Sequence, residues 1–142
     1  MGLDNGIIIK SKKSINFPPE LERVSDCTPY SMDAEYPYEY EICYWRKCWN
    51  LRRAIGLTLD TNIECDAGKS HLTVKDIKNI WHAINHLHCK RVWDEGDSIW
   101  TYKEIRYNLD DNLTALEWLI QFIRDHEDWL DDKFYVEFYD SY

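Results

Sequence analysis

Two strand-like runs stand near opposite ends of this chain, and every strongly helical pattern lies between them. Gly6-Ile-Ile-Ile-Lys10 is short and β-branched, and it follows an Asn-Gly turn signal. Phe134-Tyr-Val-Glu-Phe-Tyr139 has the aromatic, β-branched composition of a second strand. Strands so placed have each other as partners, and helices between them must bury their apolar stripes on the sheet that results. This predicts an α+β architecture, with three main helices packed on a small sheet formed by the N- and C-terminal strands. The length of 142 residues suits a single domain over 1–142, with a core that holds without metal or disulfides.

The helices are marked unevenly. From about Glu39 to Ile55, the spacing of Tyr40, Tyr44, Cys48, Leu51 and Ile55 predicts a first helix, widened by Trp45 and Trp49 and capped by Gly56. Thr73-Val-Lys-Asp76 is a capping box, with Leu72 able to staple to Ile77. The stripe that follows is Ile77, Ile80, Trp81, Ile84 and Leu87. Thr101-Tyr-Lys-Glu104 repeats the device, with Trp100 facing Ile105 and a stripe through Leu109, Leu116, Ile120 and Ile123. Asn112 falls inside that stripe and reads as a core polar group with partners. Residues 11–38 hold all four prolines and no clean period, the pattern of a long irregular segment. Residues 57–70 are ambiguous, with a short strand around Leu57-Leu59 or Ile63 as one reading.

Charge and motifs narrow the function classes. A formal charge of −9 argues against direct nucleic-acid or anionic-membrane binding, because both reward cations. It fits competition for a basic groove on another protein, or simple solubility. Five cysteines without a repeating framework, and an opening that lacks a basic start and an apolar stretch, predict free thiols in a cytoplasm. No phosphate loop, dinucleotide fingerprint or nucleophile elbow is present, so no cofactor and no catalytic group is assigned. His82, His86 and Cys89 share one side of the second helix, away from its stripe and without a Glu after His82, so no metal is expected there. The run Asp125, Glu127, Asp128, Asp131 and Asp132 reads as a solvated face.

Positive charge is concentrated at Arg46, Lys47, Arg52 and Arg53. On a helical wheel Arg46, Asn50 and Arg53 share a side, and Arg with Asn suits a phosphate, a carboxylate or an acidic partner. The competing reading is ion pairing with the chain's own 26 carboxylates.

The opening Met1-Gly2-Leu3-Asp4, the run Tyr44-Trp45-Arg46-Lys47 with Asn50, and the ending Tyr139-Asp140-Ser141-Tyr142 resemble a family of small uncharacterised bacteriophage and prophage proteins. Members of that family commonly have His where this chain has Arg52, and Trp where it ends in Tyr142. The resemblance implies a phage accessory gene expressed in a bacterial host, and it singles out Asp4, Arg46, Lys47 and Asn50. Three functions follow as expectations. The first is a binding protein that engages a host protein with a basic surface, as an inhibitor of host defence would. The second is a module that binds a small anionic ligand, such as a nucleotide, between the first helix and the strand ends. The third is an enzyme with an unrecognised site. Asp4, Arg46, Lys47, Asn50 and Arg53 are the residues expected to bind ligand or partner.

Overall fold

The computed structural model describes residues 4–21, 24, 35–46, 49–59, 68–90 and 109–141. Strand β1 (Asp4–Ser11) is the centre of a three-stranded antiparallel sheet, flanked by β2 (Tyr38–Arg46) and β3 (Phe134–Ser141). The predicted pairing of first and last strands is present, with Ile7 opposite Phe138 and Ile9 opposite Val136. Three helices follow the chain: α1 (Trp49–Leu59), α2 (Val74–Lys90) and α3 (Leu109–Asp125). Helix α2 packs between the other two, and α3 also meets β2.

Alternation along β1 explains which face the helices cover. Asn5 and Ser11 are buried at the two ends of this face, and between them the buried Ile7 and Ile9 pair with the buried Phe138 and Val136 of β3. They share one core with Leu51 and Ile55 of α1, Ile77, Ile80 and Ile84 of α2, and Leu116, Leu119 and Ile123 of α3. Each such aliphatic side chain contributes about 1.5–3 kcal/mol on burial.

The predicted helix over Glu39–Ile55 is corrected. Its first half is strand β2, and the helix occupies Trp49–Leu59, running through Gly56 rather than ending there. The reason is a bulge. Between Ile7 and Ile8 the register shifts by one residue of β2, so Ile42 and Cys43 are both buried in succession. The extra residue breaks the two-residue alternation of Tyr40, Ile42 and Trp45. What remains imitates a helical spacing. Leu57 and Leu59 lie in α1, and residues 60–67, with Ile63, fall outside the described residues.

The capping box at the start of α2 is present in both directions. The Thr73 amide donates to Asp76 Oδ2 at 3.0 Å, and the Asp76 amide donates to Thr73 Oγ1 at 3.1 Å. Just before it, Lys69 exchanges two backbone hydrogen bonds of 2.8 Å with Phe138, and the Leu72 amide reaches the Val136 carbonyl at 2.9 Å. This segment pairs with the outer edge of β3, which blunts an edge open to other chains. Gly68 allows the approach, since a Cβ there would collide with the Phe138 carbonyl. The second capping box, Thr101–Glu104, lies outside the described residues.

Part of the irregular segment is anchored. The Ile15 amide donates to the Tyr40 hydroxyl at 3.1 Å. The Phe17 ring packs between Tyr40 and Trp118, at 5.0 and 4.9 Å between centroids. Leu21, in a 3-10 turn over Pro19–Leu21, is buried.

Candidate functional site

Two of the sequence-predicted site residues share one end of the sheet. Asp4 and Arg46 are direct register partners on β1 and β2. Asn50 lies in the first turn of α1, and Arg53 is exposed on the same helix. Arg46 therefore shares no helical side with Asn50 and Arg53, since it ends a strand. Lys47 lies outside the described residues.

Sequence reasoning missed the polar groups buried beside them. Asn5 is fully buried, and among the described residues neither its side-chain nitrogen nor its oxygen has a hydrogen-bond partner. In the register Asn5 sits between Trp45 and Asp140. Trp45 is fully buried too, and its indole N–H has no partner among the described residues. Arg52 is buried in α1, its guanidinium 5.2 Å from the Phe138 ring centroid. A signal for Arg52 was available: it precedes Ile55 by three residues and Leu59 by seven, so it lies on the buried stripe once the helix starts at Trp49.

The second cluster is the sheet face turned away from the helices. Tyr135, Glu137 and Tyr139 of β3 alternate with the buried Phe134, Val136 and Phe138, and all three are half-buried. Across Lys10 stand Glu39 and Tyr135, and across Ile8 stand Glu41 and Glu137. Lys10 Nζ lies 3.8 Å from Glu39 and 3.5 Å from Glu137. Burial works against its charge, but Glu137, Tyr135 and Glu39 outweigh that and raise Lys10 above the ordinary lysine value. Glu137 also accepts from Ser70 Oγ at 3.0 Å.

Tyrosines cover the remainder of this face. Tyr135 packs edge-on against Tyr36 at 5.0 Å and stacks on His71 at 4.5 Å. His71 Nδ1 pairs with Asp131 at 2.8 Å. The Tyr139 ring lies across Gly6, where an added Cβ would come within 2.9 Å of it and would meet the Cys43 carbonyl as well. Tyr44 is opposite Gly6 on β2 and half-buried. Among the described side chains, this face thus carries three carboxylates, one ammonium and a row of rings.

Two grooves open elsewhere. One, of about 390 Å³ between α2 and α3, is lined by Lys78, Trp81, His82, Glu117 and Arg124. The other, of about 490 Å³, lies between residues 14–16 and the end of α3. His82 and His86 are exposed on α2, and among the described residues no group of three or more His, Cys, Asp or Glu is placed to hold a metal ion. The Cys43 thiol is buried. No helix among the described residues is long and apolar enough to cross a membrane.

No protein-family model, curated protein or solved structure matches this chain.

Proposed function

We propose that this chain is a binding protein whose sheet face docks a basic surface of another protein. The observation that carries the reading is the composition of that face among the described side chains: Glu39, Glu41 and Glu137 around Lys10, with Tyr44, Tyr135 and Tyr139. Tyrosine provides large contact area with little side-chain entropy to lose, and rings of this kind are enriched in protein interfaces. The carboxylates would steer a basic partner into register and reject an acidic one. Following the family resemblance, the partner is a host protein in the bacterial cytoplasm and the chain is a phage or prophage accessory protein, with inhibition of host defence as the role.

The reading is tested by affinity capture at low and high salt, comparing the wild type with Glu41→Lys and Tyr44→Ala, and with Arg53→Ala as a control off this face. The expected result is a salt-sensitive partner lost by both face variants and kept by the control. A partner retained by both face variants overturns it.

A second reading is favoured by the unpartnered donors at the strand ends. Asn5 Nδ2 and Trp45 Nε1, on register partners, together with the buried guanidinium of Arg52 on α1, form a donor set suited to a small anion between α1 and the sheet. A thermal-shift screen with nucleotides and simple phosphates tests it. Stabilisation abolished by Asn5→Ala supports the site, and no stabilisation by any anion removes it.

A further inference from the structure

The groove between residues 14–16 and the end of α3 is walled by a ladder of rings. Trp118 meets Phe122 at 5.0 Å, Phe122 stacks on His126 at 4.4 Å, and His126 meets Trp129 at 4.6 Å between centroids. Phe122 is buried against Phe134, while Trp118 and Trp129 pack against the core on one side and, with His126, keep part of their surface along a groove of about 490 Å³.

Besides Ser14, Asn16 and Gln121, which donate as well as accept, two acceptors stand beside the ladder. His126 Nδ1 lies 2.9 Å from the Phe122 carbonyl. A carbonyl only accepts, so Nδ1 carries the proton and Nε2 of the neutral ring is an acceptor. Asp125 is exposed at the groove, and Gln121 Nε2 donates to its Oδ1 at 2.8 Å, which orients the carboxylate and leaves Oδ2 available. Ring faces, a carboxylate and an imidazole acceptor all favour positive charge. The chain's own Lys13 already illustrates this, with its ammonium 4.6 Å from the Trp129 ring centroid.

We propose that this groove binds the guanidinium of an arginine side chain displayed by another polypeptide. A guanidinium is planar, so it stacks on Trp118 or Trp129 as a compact ammonium does not, and its fork of N–H donors meets the Asp125 carboxylate in the same plane. The site shares no residue with the sheet face, and it stands or falls separately from the function proposed above.

The test uses the whole chain labelled at its indole nitrogens and titrated with N-acetyl-arginine amide, N-acetyl-citrulline amide or tetramethylammonium. Citrulline keeps the plane without the charge, and tetramethylammonium keeps the charge without the plane. The expected result is saturable shifts of the Trp118 and Trp129 signals with the arginine amide alone. Asp125→Asn should weaken that binding about tenfold, the effect of losing one charge-assisted contact. Trp129→Leu should reduce it similarly, with the buried Trp45 signal reporting an intact fold. Equal response to citrulline, equal binding of tetramethylammonium, no saturable shift, or an Asp125→Asn variant that binds as the wild type does would each overturn the assignment.

Discussion

Arg52 and Arg53 are neighbours in sequence with opposite circumstances. Arg52 is 1% exposed, inside the stripe that α1 turns toward the sheet, and Arg53 faces solvent. Removing a buried, engaged guanidinium forfeits its stacking on Phe138 and leaves its neighbours unmatched, so Arg52→Ala should destabilise by about 2–3 kcal/mol. Arg53→Ala should change stability by less than about 0.5 kcal/mol. Denaturant melts of the two variants check this, and similar losses in both would contradict the assigned burial. The resemblance singles out Asp4, Arg46, Lys47 and Asn50, of which Asp4 and Arg46 are register partners at one end of the sheet. It does not mark Asn5, Trp45 and Arg52 as buried. Their burial depends on where β2 ends and α1 begins, and periodicity placed that boundary inside one long helix.

Individual elements were legible in proportion to how local their signals are. The capping box at Thr73–Asp76 uses atoms three residues apart, so the sequence alone sufficed to find it. Thr73→Ala removes the side-chain acceptor for the Asp76 amide, and it should cost about 1 kcal/mol. Thr73→Ser should restore most of that, as read by chemical denaturation; an equal loss in Ser would assign the effect to the methyl group instead. The terminal strands were legible from composition. β2 was not, because its pattern is interrupted by the bulge opposite Ile7 and Ile8, a feature set by pairing with a strand some thirty residues earlier. The edge pairing by Lys69 and Leu72 was equally invisible, since it is made by backbone atoms.

At the scale of the whole molecule, the fold separates an apolar sheet face under the helices from a tyrosine-rich acidic one. Lys10 is the cation at the centre of the acidic face, and its raised pKa links that face to stability. A group raised in the folded state contributes fully below its unfolded value, roughly 10.4 for lysine, and the contribution is lost as pH rises through the folded value. The stability difference between wild type and Lys10→Met should therefore be constant through neutral pH and shrink only above about pH 10.4. Paired melts from pH 7 to 11.5 measure it, and a difference that shrinks below pH 9 would place the effect elsewhere. The proposal that the acidic face is the docking surface is probed most directly by position. A photo-reactive amino acid placed in turn at Tyr44, at Tyr139 and at Arg53 would be irradiated in bacterial cells and the adducts identified. The account predicts a shared adduct from positions 44 and 139, to a protein with a basic surface, and none from position 53. Adducts from position 53 alone, or the same yield from all three, would contradict it.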